Sequence, residues 1–272
     1  MKQSFFGVLV VILGCLASCS DDGDSPGALF ISTEQQKQLG MQFDSTILAH
    51  PEEYPILSEE DYPQANNYLQ GIFNEILQSE AIDHRDDFDW QIRLIEDDSV
   101  LNAFATPGGY VYVYTGLIKY LEQEDDLAGV LGHEIAHAAE EHSARSLERQ
   151  YGLQLLTSIL LGNDSGTLTE IVTNSATGLL SLSYGRNLEA EADERSVDYL
   201  AETKYNCAGA SSFFQKLIEQ GQTGGGPTFL STHPDPGNRV EDIVATAQEV
   251  GCSTEPADPS SYDDFKAMLP GE

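Results

Sequence analysis

The stretch His133-Glu134-Ile135-Ala136-His137 limits what this chain can become more than any other part of its sequence. Residues at i and i+4 lie one turn apart on one face of an α-helix, so on a helix both imidazoles reach a single metal ion. Glu134 lies about 100° round from His133, close enough to reach a water at such a metal but wrongly placed for a third ligand. That division of labour suits hydrolysis, with a metal polarising a carbonyl and acidifying water while a carboxylate moves the proton. The competing reading is a solvent-facing helix. Ile135, Ala136 and Ala138 argue against it, because burying two imidazoles and a carboxylate without a partner is costly.

A catalytic zinc needs a third protein ligand and an open fourth position. The metzincin pattern would put a His six residues after His137, where this chain has Ser143, and a Gly where it has Glu140. His142 misses that register by one residue and is expected on another helix face. Downstream, Arg186 to Asp193 reads as a helix with carboxylates at 189, 191 and 193. Glu189 and Asp193 share a face, whereas Glu191 points roughly 160° to 200° away. One member of that pair can bind the metal while the other holds a ligating His by its second ring nitrogen. Glu191 is expected to face solvent and pair with Arg195 at i+4.

Around these motifs the pattern is α+β. Ser32 or Thr33 caps a helix through Leu39, Phe43 and Leu48, and Tyr68, Leu69, Ile72, Phe73, Ile76 and Leu77 mark a second. Residues 89–96 alternate Trp90, Ile92 and Leu94 as a strand, and Pro107-Gly108-Gly109 turns into another over 110–114. Beyond residue 117 the chain reads helical, giving a mainly helical core with a small early sheet. The strand from Gly109 is expected at the sheet edge flanking the motif helix, where Gly109, Tyr110, Val111 and Tyr112 would bind an extended peptide by main-chain pairing. With no internal repeat or long linker, residues 32–252 read as one domain and 253–272 as a tail. The Leu-rich run from Leu153 to Leu161 is too short to span a bilayer and is assigned to packing.

Residues 1–18 have the layout of a bacterial secretory signal, with Lys2 before an apolar run from Phe5 to Leu16. Leu16-Ala17-Ser18-Cys19 resembles a lipobox, which makes Cys19 the lipid-bearing N-terminus, followed by a flexible acidic tether over 19–31. That address places the protein in the cell envelope, at the outer membrane through its lipid alone, facing the periplasm or the cell surface. Cys207 and Cys252 remain in the body, and an even count in an oxidising compartment favours a disulfide. With 13 Lys+Arg against 45 Asp+Glu and a formal net charge of −32, the chain lacks the basic footprint of a nucleic-acid partner.

Four ordered motifs remain. They are Asn102-Ala103-Phe104-Ala105 with Pro107-Gly108-Gly109-Tyr110; His133 to His137 with His142-Ser143; Glu189 to Asp193; and Thr232-His233-Pro234 with Arg239. Together, from about Ser32 to Val250, they resemble the HtpX/BepA-like zinc metallopeptidases of family forty-eight. The resemblance implies a gluzincin core with one zinc per chain on His133, His137 and Glu189, and Glu134 as base, which leaves Asp193 to support a ligating histidine. It also implies that His233, on a loop stiffened by Pro234 and Pro236, approaches the zinc. There it would either latch the fourth position or donate to the developing oxyanion, the plain alternative being a solvated histidine on a helix-capping loop, with Arg239 serving the oxyanion or a structural carboxylate. The prenyl-protein proteases of the family are membrane-embedded. The absence of transmembrane segments after the signal instead favours an endopeptidase acting on protein or peptide substrates, such as misfolded or misassembled envelope proteins. A chaperone-like binding lipoprotein with a latent zinc site is the rival. A structural zinc domain would be closed by four Cys or His ligands.

Overall fold

The computed structural model of the chain describes residues 30–174, 178–221, 228–234, 238–256 and 260–271. The signal sequence, Cys19 and most of the expected tether lie outside them. Ser32 opens the first helix with a capping box: its hydroxyl accepts from Gln35 N at 3.3 Å, and its own N–H donates to Gln35 Oε1 at 2.8 Å. From there α1 (Thr33–Leu48) buries Leu39, Phe43 and Ile47 along one face. Pro63, with no N–H to satisfy, starts α2 (Pro63–Ile76), which buries Leu69, Ile72, Phe73 and Ile76.

Among the described residues the early sheet has three strands, β1 (Gln91–Ile95), β2 (Ala103–Thr106) and β3 (Tyr110–Tyr114), in the order β1-β3-β2. β3 runs parallel to β1 and antiparallel to β2. Gly108 and Gly109, at φ +80° and +92°, make the tight turn from β2 into β3. β3 is therefore the central strand, which corrects the expectation that Gly109, Tyr110, Val111 and Tyr112 form a substrate-binding edge. Their main-chain groups already face neighbours on both sides, and Gly109 O accepts from Gln91 N at 3.0 Å. The edge strand next to the motif helix is β2.

The pleat sorts β3 by residue type. Val111 and Val113 join one apolar core with α2, while Tyr110, Tyr112 and Tyr114 join Leu39, Phe43 and Ile47 of α1 in another. Both faces are covered, so every residue of β3 is buried.

The remaining α-helices among the described residues are α3 (Thr115–Tyr120), α4 (Glu124–Ala139), α5 (His142–Tyr151), α6 (Leu153–Leu160), α7 (Ser165–Thr173), α8 (Arg186–Leu200), α9 (Gly209–Glu219), α10 (Thr228–Thr232), α11 (Arg239–Val250) and α12 (Ser260–Met268). The motif helix α4 is buried along its whole length, between α8, α9 and β2. Gly129 permits the close crossing with α9, since a Cβ there would stand 2.0 Å from Ala210 N.

Two expectations about the periphery change. Residues 260–271, taken as part of a tail, contain α12, whose Tyr262 and Phe265 enter the same apolar core as α2, as does the following Leu269. Phe265 stacks on Tyr68 at 4.3 Å between centroids, so the folded unit extends past residue 252. The Leu-rich run packs only in part: Leu156 and Ile159 are buried, whereas Leu153 and Leu161 are 38% and 70% exposed. Cys207 and Cys252 are joined in a disulfide with Cα atoms 6.3 Å apart, tying the α8–α9 connection to the end of α11. No helix among the described residues is long and apolar enough to cross a membrane.

Candidate metal centre

Helix α4 presents His133 and His137 one turn apart, with their Nε2 atoms 3.0 Å from each other. Helix α8 sets Glu189 opposite them, Oε2 3.5 Å from His133 Nε2 and Oε1 3.5 Å from His137 Nε2. His233, just after α10, completes the group with Nδ1 3.1 Å from Glu189 Oε1 and 3.3 Å from His133 Nε2. One potential ligand atom from each of these four buried residues lies within 4.8 Å of all the others. Glu134 Oε1 is 3.5 Å from His233 Nε2, yet neither Glu134 oxygen has a hydrogen-bond partner although the side chain is fully buried.

Both imidazoles of α4 are held from behind. His133 Nδ1 lies 2.9 Å from Asp193 Oδ1, one turn after Glu189 on α8. Arg239, at the start of α11, grips Asp193 with a fork, Nε to Oδ2 at 2.6 Å and Nη2 to Oδ1 at 2.7 Å, and sets Nη1 2.9 Å from Glu189 Oε2. Its guanidinium also sits 3.9 Å from the Phe214 ring centroid. Of the two roles open to Arg239, the carboxylate one is visible in these ion pairs, while its Nη2 also lies 3.4 Å from His133 Nε2. His137 Nδ1 lies 3.0 Å from His142 Nδ1, and His142 Nε2 lies 3.2 Å from Glu191 Oε2. Tyr184 stacks on the His137 ring at 3.8 Å, its hydroxyl 3.1 Å from Ser143 Oγ, which donates to Ala105 O at 2.9 Å.

Glu191 is thus not Arg195's partner, because Arg195 Nε reaches Glu140 Oε1 at 2.9 Å. Nor does His142 lie on a remote face. Glu141 adopts φ +61°, which ends α4 and turns the chain so that His142 comes back beside His137. A helical wheel continued through residue 142 misses this. The signal that could have found it was the His142-Ser143 pair following the metal motif. Tyr184 and Phe229, the latter stacked on His233 at 4.3 Å, carry no such signal.

The charges of the cluster are strongly displaced. Burial opposes charge on His133, but hydrogen bonds to Asp193 and Glu189 outweigh it and raise its pKa to about 9. Burial, reinforced by His133, pushes His137 well below the ordinary imidazole value. Burial likewise raises Glu134. Glu189 and Asp193 are lowered despite burial, Glu189 by His233 and Arg239, and Asp193 by Arg239 first. With Nδ1 of His133 turned to Asp193, its Nε2 faces the Nε2 of His137, and a fully buried carboxylate beside them lacks a donor. Two imidazoles, a carboxylate and a further imidazole converging on one point make a donor set that fits zinc.

The model of peptidase family M48 matches residues 63–247. Among curated relatives, the mitochondrial metalloendopeptidase OMA1 of Schizosaccharomyces pombe is 28% identical over 200 residues, 72% of this chain and 57% of the relative. The beta-barrel assembly-enhancing protease of Yersinia pestis is 30% identical over 242 residues, 85% of this chain and 47% of the relative. Its counterpart in Escherichia coli K12 is 32% identical over 169 residues, 58% of this chain and 34% of the relative. In each case the chain spans less than two thirds of the relative's length.

Proposed function

The chain belongs to peptidase family M48, and on that premise we propose that it is a zinc-dependent endopeptidase acting on misfolded or misassembled proteins of the bacterial cell envelope. The observation that carries this reading is the buried convergence of His133, His137 and Glu189 beside the unpartnered carboxylate of Glu134. In it, His133, His137 and Glu189 hold one zinc per chain. When bound, zinc supplies Lewis acidity that polarises a carbonyl and brings water's pKa toward neutrality. Glu134 takes the proton from the attacking water and passes it to the departing amine. Asp193 keeps His133 oriented, and Arg239 fixes Asp193 in turn.

With β3 enclosed, the strand left to align an extended substrate is β2. Here a second reading enters, that the enzyme is latent in this conformation. His233 sits among the other three donors, as in a closed four-ligand site, whereas catalytic sites keep one position open. The same segment is tied down on both sides, for Phe229 N donates to Leu101 O, just before β2, at 3.1 Å and Tyr184 N to Thr232 O at 3.1 Å. Activation would then require residues 228–233 to withdraw. Relatives named for beta-barrel assembly and the lipobox-like Leu16 to Cys19 support an outer-membrane lipoprotein.

Cleavage of casein by the purified mature chain, abolished by a chelator and restored by zinc, tests the activity. A rise in that cleavage in His233→Ala supports latching. A large fall with zinc retained makes His233 a transition-state donor instead, and no change removes it from the mechanism. Metabolic labelling with palmitate, lost in Cys19→Ala, tests the anchor.

A further inference from the structure

The two histidines of α4 are backed differently, and the difference forces an assignment of protons. His137 faces Glu189 and His133 through Nε2, so this nitrogen must keep its lone pair to bind a metal. A neutral imidazole then carries its proton on Nδ1. That nitrogen lies 3.0 Å from His142 Nδ1, and two ring nitrogens at this distance need one donor and one acceptor. His142 Nδ1 must therefore be the bare acceptor, which puts the His142 proton on Nε2, 3.2 Å from Glu191 Oε2. The opposite arrangement, with His142 donating through Nδ1, would move the His137 proton onto Nε2 and destroy the ligand.

We propose that His142 and Glu191 form a positioning relay that selects the metal-binding tautomer of His137 and fixes its ring, as Asp193 does directly for His133. His142 is fully buried, whereas the Glu191 side chain is 43% exposed, so the relay runs from the metal-binding face of α4 to solvent. All three acidic residues between 189 and 193 on α8 thereby serve one site: Glu189 as ligand, Asp193 behind His133, and Glu191 behind His137 through an imidazole. The role assigned to both residues is positioning.

This inference rests on the zinc reading, and the test separates the two. Zinc affinity is measured by chelator competition on the purified mature chain and its variants. His142→Leu, which removes the acceptor, is expected to bind zinc about 10- to 100-fold more weakly, the usual cost of losing an outer partner. His142→Gln, whose amide oxygen can accept from His137 Nδ1–H, is expected to recover most of that loss. Glu191→Leu should fall between, because water can replace an exposed carboxylate. Unchanged affinity in His142→Leu, or His142→Gln as weak as His142→Leu, overturns the relay. Failure of the wild type to bind zinc overturns the metal reading instead. Should His142→Leu not fold, ¹⁵N NMR of the zinc-loaded wild type decides. A bare Nδ1 and protonated Nε2 on His142 support the relay, and a protonated Nδ1 refutes it.

Discussion

Asp44 and Glu134 are both carboxylates withdrawn from water, at 7% and 0% exposure, and the two regions that hold them treat them in opposite ways. Where α1 meets the sheet, Asp44 accepts from Arg93 Nη2 at 2.7 Å and from the Tyr112 hydroxyl at 2.9 Å. Between α4 and α8, Glu134 has two buried oxygens and no donor to either. A satisfied buried carboxylate orders its surroundings, and removing it leaves a charge stranded. An unsatisfied one burdens the fold and is tolerated where chemistry needs it. The contrast leads to the expectation that stability and activity can be perturbed one at a time in this molecule.

The largest effect should come from a ligand on the α8 side of the site. Glu189→Ala is expected to weaken zinc binding by about a hundredfold or more, beyond the range for outer partners, with the chain still folded by circular dichroism. Full zinc occupancy by elemental analysis would move the third-ligand role away from Glu189. On the satisfied side, Asp44→Ala leaves Arg93 without its carboxylate and should cost about 2–4 kcal/mol in denaturant melts, a little below a fully buried pair because Arg93 is partly exposed. Zinc affinity per folded molecule should not change. If it falls with stability, the two regions are coupled and the comparison breaks.

A pH dependence sharpens the contrast on α4 itself. Burial raises Asp126, near the helix N-terminus, from 3.8 to about 6 although it accepts from the Glu122 and Gln123 N–H groups. The fold therefore binds a proton that the unfolded chain has released, and its contribution is complete below the unfolded value and lost as pH rises through about 6. Stability of the wild type should decline between pH 4 and 6 relative to Asp126→Asn, whose amide oxygen can keep the cap. Parallel pH profiles for the two would show that Asp126 is not strained.

The metal motif was legible because helical spacing and ligand chemistry constrain the same residues twice. Gly108 and Gly109 were legible as a turn for a similar reason, since a backbone at positive φ favours glycine. β2 was not: four residues, Ala103 to Thr106, buried on both faces, give no alternation to read. The central position of β3 was equally hidden, because strand order depends on which distant segment pairs with which edge. His142 was misplaced by assuming one continuous helix, when the left-handed Glu141 reverses the chain. Composition misled at the C-terminus, where Pro, Ser and Asp suggest a tail although Tyr262, Phe265 and Leu269 repeat at helical spacing and are buried.

Glu134→Gln tests the central claim most directly, because the amide keeps the shape of the side chain but cannot take a proton. Assayed on casein with zinc content measured in the same sample, it should hold one zinc per chain and cleave about 10²- to 10⁴-fold more slowly than the wild type. Wild-type cleavage by zinc-loaded Glu134→Gln would contradict the account, for the unpartnered carboxylate would then have no part in the chemistry.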